Sequence, residues 1–261
     1  MAHPHSASRV SPRLACLLAG VLAIGLAPAL PAGTAAAQGS GDGFLFKEPT
    51  RTLVLRGGFA HASAGSDIFT FATDQLTLGS GDFSGPTFGA DLAVQVTPRL
   101  DVVVGASYAG RSARSEFRDW VDQDDRPIEQ TTKFRRVPVT ASAKLYLMPR
   151  GRTIGSFVWL PARYAPYVGV GGGAMWYRFS QEGDFVDFET LDVFSDELES
   201  SGWTGTAHAM AGLDFALTPR LGLTGEARYT YAKATLGDDF EGFDKIDLSG
   251  ISTTIGLSIR F

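Results

Sequence analysis

The closing stretch GISTTIGLSIRF, Gly250 to Phe261, decides the fold class. Ile251, Thr253, Ile255, Leu257, Ile259 and Phe261 hold the odd positions; Gly250, Ser252, Thr254, Gly256, Ser258 and Arg260 hold the even ones. Successive side chains of a strand point to opposite faces. A strand here therefore has one greasy face and one small or polar face.

Working backwards, the same alternation returns. Leu221, Leu223, Ala227, Tyr229 and Tyr231 oppose Thr224, Glu226, Arg228 and Thr230. Trp203, Ala207, Ala209, Ala211, Leu213, Phe215 and Leu217 oppose Thr204, Thr206, His208, Met210 and Asp214. Val137, Val139, Ala141, Ala143, Leu145 and Leu147 oppose Thr140, Ser142, Lys144 and Tyr146. Leu100 to Arg111 places Asp101, Ser107 and Arg111 on the polar face, and Phe88 to Val96 places Asp91 and Gln95 there. Leu53, Leu55 and Phe59 against Arg56 make the first strand; in Tyr167 to Phe179 the glycines 169, 171, 172 and 173 blur the faces. These are eight strands, an even number.

Alternation alone fits a soluble sandwich as well as a barrel. The polar face, however, consists of small residues and single charges of both signs, which suits an eight-stranded barrel whose interior is just wide enough for side chains. The apolar face lacks charge over most of each strand, as a lipid-facing wall requires. An open sheet edge in hydrocarbon would leave backbone groups unpaired, so the sheet must close. The expected fold is all-β: a closed up-and-down antiparallel transmembrane β-barrel of eight strands, over residues 51–261.

Two connections are short. Val96 reaches Leu100 through Thr97-Pro98-Arg99, and Leu217 reaches Leu221 through Thr218-Pro219-Arg220. Four are long, at residues 61–86, 112–132, 180–202 and 235–248. Short periplasmic turns and longer extracellular loops are the rule in such barrels. Met148 to Pro166 is a long connection on the short side, either an excursion or an extra hairpin that would raise the count to ten strands. Most acidic residues fall in the long connections; the third holds Glu182, Asp184, Asp187, Glu189, Asp192, Asp196, Glu197 and Glu199 and no Lys or Arg. The turns carry Arg99, Arg150, Arg152, Arg163 and Arg220 and no acid. The net charge of −5 is thus polarised, and nucleic-acid binding has no basic patch to rest on. Tyr108, Trp176, Trp203, Tyr229 and Tyr231 towards the loops, and Tyr146, Tyr167, Phe215 and Phe261 towards the turns, suggest two interfacial girdles.

The N-terminus reads as an export signal. Arg9 and Arg13 precede an apolar run from Leu14 to Leu30, and Ala35-Ala36-Ala37 supplies small residues for cleavage before Gln38. Residues 1–37 are therefore expected to be a cleaved signal peptide and 38–50 a periplasmic extension. The one cysteine, Cys16, lies inside the apolar run and has Arg13 three residues before it, which argues against lipidation. The mature chain then has no thiol for disulfides, metal sites or nucleophiles. No cofactor and no metal site are expected.

Thr254-x-Gly256-x-x-Ile259-x-Phe261 is similar to the β-signal by which small outer-membrane barrels are handed to the barrel assembly machinery. On this and the strand pattern, residues 50–261 resemble the OmpA transmembrane-domain and OmpW-like families of the Gram-negative outer membrane. The resemblance implies a monomeric barrel surrounded by outer-membrane lipid and lipopolysaccharide. Its implied function is structural or porin-like, up to a narrow channel for small solutes. No peptidoglycan-binding domain is expected after the β-signal, so the anchoring role of two-domain members is not implied.

The candidate site is a lumenal charge network. Arg56, Lys144, Arg228 and Arg260 are set against Asp91, Asp101, Asp214 and Glu226 to pair across the interior, because unpartnered buried charges are costly. Such pairs either merely fill the lumen or, as the resemblance implies, occlude or gate a pore. Acidic loop residues such as Asp238, Asp239, Glu241, Asp244 and Asp247 suit hard cations but lack EF-hand spacing. Two other classes stand as alternatives. An outer-membrane lipid-modifying enzyme of the lipid A deacylase type would draw on His61, Ser63 and a loop acid, though nothing in the spacing demands it, and the expectation is no enzyme. A soluble lipocalin-like barrel would turn the apolar face inward. Gly169-x-Gly171-x-x-Ala174 superficially matches a dinucleotide fingerprint but has no helix after it.

Overall fold

The computed structural model describes residues 43–121, 125–155, 158–186 and 193–261. The expected signal peptide, and with it Cys16, lies outside the described residues, as do Asp187, Glu189 and Asp192.

The described residues form β1 (Arg51–Ala62), α1 (Asp67–Gln75), β2 (Gly85–Thr97), β3 (Leu100–Val121) and β4 (Pro127–Tyr146). The short β5 (Gly151–Ile154) and β6 (Val158–Pro161) follow, then β7 (Tyr164–Val186), β8 (Val193–Ala216), β9 (Leu221–Ala234), β10 (Ile246–Asp247) and β11 (Gly250–Arg260). Eight strands close a ring of antiparallel neighbours in chain order, β1-β2-β3-β4-β7-β8-β9-β11, with β11 returning to β1. Cross-strand partners followed from Arg51 through Val94, Val102, Ala143, Val170, Ala209, Tyr229 and Ile251 return to β1 at His61, ten residues along. A stagger of ten over eight strands, at ~3.3 Å per residue and ~4.8 Å between strands, tilts the strands by roughly 40°.

That circuit passes through outward side chains throughout. The parallel circuit one residue on, Thr52, Ala93, Val103, Ser142, Gly171, His208, Thr230, Gly250 and Ala62, is the inner wall. Leu55, Phe88, Val104, Val139, Val170, Leu213, Leu223 and Ile255 are all exposed, Ile255 to 70%. Such a continuous exposed apolar belt marks a surface built for contact with hydrocarbon or another protein, not for water. The faces are the reverse of a lipocalin calyx. In β7 the ambiguous glycines resolve: Tyr167, Gly169, Gly171 and Met175 face the interior, and Val168, Val170 and Trp176 face out. This strand continues unbroken through Gly173, so the fingerprint-like glycines open no helix.

Two boundaries differ from the sequence expectation. The described residues of 112–132 and 180–202 are largely strand: β3 pairs with β4 to Glu116↔Glu129 and, after a register shift, at Val121↔Pro127, and β7 with β8 as far as Val186↔Val193. These four strands rise beyond the ring as a curtain. The connection from Tyr146 to Tyr164 holds an extra hairpin, but β5 and β6 pair with each other and not with the ring. Leu45 bridges to Trp159 of that hairpin through backbone bonds of 2.9 and 2.8 Å, which places residues before β1 on the turn side.

The first long connection folds back into the mouth of the barrel. In α1, Ile68, Phe69 and Ala72 are spaced to share one face of a helix, and all three are buried. They join Leu76, Leu78, Phe83, Phe134, Phe179, Phe240 and Leu248 in one apolar cluster against the inner face of the curtain. Phe69 sits at its centre, with ring centroids 4.6 Å from Phe83, 5.4 Å from Phe134 and 5.8 Å from Phe179. Backbone amides of the last connection fasten it: Asp244 N–H donates to the Asp67 carboxylate and Asp247 N–H to the Ser66 hydroxyl.

Candidate functional site

Below this plug the lumen is polar, and the inward positions of the strands bring the expected charges together in successive pairs. Arg56 of β1 binds Asp91 of β2 through Nε at 2.5 Å and Nη2 at 3.2 Å. Arg228 binds Glu226, two residues earlier on β9, at 2.9 Å. Lys144 of β4 reaches across to Asp214 of β8 at 3.0 Å. The Arg228–Glu226 and Lys144–Asp214 pairs are further held by tyrosines. Tyr146 donates to Asp214 at 2.7 Å, Tyr167 donates to Glu226 at 3.0 Å, and Lys144 Nζ lies 3.6 Å from the centroid of the Tyr167 ring.

Glycine makes room at the tightest points. A Cβ on Gly105 would collide with the Asp91 carboxylate, and one on Gly212 with the Tyr167 hydroxyl. Around Arg56, Asp91, Lys144, Tyr167, Glu226 and Arg228 the free space is about 20 Å³, the room of a single water.

Three expectations need correction. Among the described residues Arg260 makes no ion pair: Asp101 is taken by Arg150 at 2.9 Å and Asp214 by Lys144 and Tyr146, and a buried Nη1 of Arg260 has no hydrogen-bond partner. Arg150 was expected among the turn arginines, yet its side chain bends from the connection after Leu147 into the lumen. Tyr146 and Tyr167 were placed in the turn-side girdle; they lie inside, 4% and 2% exposed, because both occupy inward positions. The loop-side aromatics Tyr108, Trp203, Tyr229 and Tyr231 do face outward and exposed.

Between the ion pairs and the plug lies a chamber of about 50 Å³ lined by Arg56, Arg136, His208, Arg228, Thr140 and Ser252 among others. His208 Nε2 meets the Ser142 hydroxyl at 2.8 Å. Arg136 was not singled out from the sequence; it sits 7% exposed and donates through Nη1 to the Leu248 and Ser249 carbonyls.

The residues considered for hydrolysis do not converge. His61 faces outward and its Nδ1 meets the Ser84 hydroxyl at 3.1 Å, while Ser63 is exposed and bonds through its amide to Ser249. Among the described residues no three His, Asp or Glu gather as a metal site. In the β-signal stretch, Thr254 and Gly256 point inward and Phe261 closes the ring at the turn side, exchanging backbone bonds of 2.9 and 3.0 Å with Arg51.

No family model matches the chain, and no curated protein does. It is similar to small outer-membrane barrels of known structure. Neisserial surface protein A is 14% identical at a TM-score of 0.42, over 84% of this chain and 97% of that one. The attachment invasion locus protein Ail of Yersinia pestis is 15% identical at 0.38, over 82% and 100%. Outer membrane protein W of E. coli is 17% identical at 0.37, over 82% and 99%. The class of fold, a closed eight-stranded antiparallel barrel with an apolar exterior and a charged interior, rests on the ring closure and face assignment above.

Proposed function

We propose that this chain is a Gram-negative outer-membrane protein whose barrel is closed, a membrane-fixed scaffold presenting the curtain and the acidic connections outside the cell. One observation carries the reading: the lumen is blocked twice, by ion pairs that leave about 20 Å³ and by an apolar plug built around Phe69. A solute would have to displace both. The expected narrow channel is accordingly set aside in favour of lumenal filling.

The exposed belt supports that address, since apolar side chains facing outward on the strands of the ring suit lipid tails. The protein reads as a monomer surrounded by outer-membrane lipid and lipopolysaccharide, with β11 as the strand offered to the barrel assembly machinery. Planar-bilayer recording on refolded protein tests the reading: no resolved unitary conductance is expected, and a steady open-channel current abolished by adding bulk in the plug would overturn it. Release of acyl chains from lipid A by the purified barrel would instead favour an enzyme.

A further inference from the structure

Arg136, Arg150 and Arg260 all have guanidinium donors without partners, and of the three it is Arg136 that lines the chamber below the plug. A guanidinium carries five N–H donors and a full positive charge. Its Nη1 donates to the Leu248 carbonyl at 3.0 Å and the Ser249 carbonyl at 3.3 Å. The Nε–H and both Nη2–H groups meet no acceptor among the described residues, and Phe134 lies 5.0 Å away against the guanidinium. Asp247 is the acid whose charge reaches Arg136, with no ion pair between them; the other acids nearby are engaged elsewhere. Asp91 holds Arg56 and Glu226 holds Arg228, while Asp247 accepts the amides of Gly65 and Ser249. A buried charge with unmet donors is disfavoured unless something supplies both acceptor and countercharge.

The free donors belong to a side chain that lines the 50 Å³ chamber, where Arg56, Arg228 and His208 are also present. That space is several times the ~15 Å³ a water-sized occupant needs. It is far too small for a sugar acid. Hydroxyls of Ser107, Thr140 and Thr230 also line it and supply further donors, while those of Thr87 and Ser252 donate to the Tyr108 and Arg228 carbonyls. A Cβ on Gly250 would collide first with the His61 carbonyl oxygen of the neighbouring strand and also press on Arg136 Nη1 at 3.2 Å.

We propose that the chamber is a binding site for one small inorganic anion of halide size, held by the Nε–H and Nη2–H groups of Arg136 between the ion pairs and the plug. Water answers the donors alone; an anion answers the donors and the charge. The test uses the full mature barrel refolded in detergent, with chloride exchanged for gluconate at constant ionic strength. Anything that binds the folded state alone stabilises it by mass action. Each tenfold rise in chloride above its dissociation constant should therefore raise the folded-to-unfolded ratio about tenfold. Arg136→Met should abolish that dependence, whereas Arg135→Gln, which alters an outward arginine, should keep it. Equal stability in chloride and gluconate, or a chloride effect that persists in Arg136→Met, overturns the proposal. If Arg136→Met does not refold, crystals of wild-type protein refolded in bromide decide: an anomalous peak beside Arg136 is expected, and water alone there overturns the site.

Discussion

Replacing Lys144 by Met strips Asp214 of its cation in the narrowest part of the lumen while keeping most of the side-chain volume. Lys144 is 7% exposed and bonds Asp214 at 3.0 Å. Removing one partner of a buried pair costs ~3–5 kcal/mol, chiefly because the other charge is left behind. Loss of the ammonium over the Tyr167 ring adds up to ~2 kcal/mol, and the Tyr146 hydroxyl that still donates to Asp214 at 2.7 Å offsets part of this. A net loss of about 3–5 kcal/mol follows. With a urea slope of ~2.5 kcal/mol/M, the unfolding midpoint of refolded protein in bilayers should fall by roughly 1–2 M. The double variant Lys144→Met/Asp214→Leu should recover most of that loss, since two apolar residues of similar volume often replace a buried pair at little cost. A single-variant loss below ~1 kcal/mol, or a double variant worse than the single, would refute the claim that these charges pair in a dry interior.

Three further outcomes follow. Phe69→Ala should cost ~3–5 kcal/mol of local packing, so limited proteolysis should cut within residues 63–84 while heat-modifiable migration of the barrel persists. Ile255→Arg, on the most exposed large apolar side chain of β11, should cost ~2–4 kcal/mol in bilayer folding assays, against little for the same change at exposed Phe194 beyond the ring. Lys133 on the curtain, hydrogen-bonded to Glu182 at 2.6 Å, holds that carboxyl below its ordinary value. A depressed folded value means stability that is present above the unfolded value and lost as pH falls through the folded one. Carboxyl NMR should accordingly show the Glu182 midpoint rising in Lys133→Gln.

The ring was legible wherever lipid contact forces the outer face to be apolar. β11 and β9 could be assigned residue by residue because Ile255 or Leu223 cannot trade faces with Thr254 or Thr224 without meeting the wrong medium. The same rule explains the missed strand lengths. Above the belt the outer face of the curtain touches water, so Arg114, Glu116 and Arg118 replace apolar residues and the period-2 signal fades while pairing continues through Glu116↔Glu129 to Val121↔Pro127. Helix α1 carried a readable signal, Ser66-Asp67 followed by Ile68, Phe69 and Ala72, but a loop expectation concealed it.

At the site, Arg56, Asp91, Lys144, Asp214, Glu226 and Arg228 were placed by face alone, and the structure joins them. Arg150 escaped because a residue in a turn has no face until the turn is built. Arg136 escaped because its flanking residues, Arg135 and Val137, gave no contrast that marked position 136 as interior.

Cysteine scanning of β11 tests the central claim most directly, since Cys16 is the chain's single native cysteine and lies within the expected signal peptide. Spin labels at positions 251, 253, 255 and 257 of the mature protein in bilayers should collide with lipid-dissolved oxygen, and labels at 252, 254, 256 and 258 should not. Uniform accessibility along the strand, or the opposite alternation, would contradict a barrel with lipid outside and charge within.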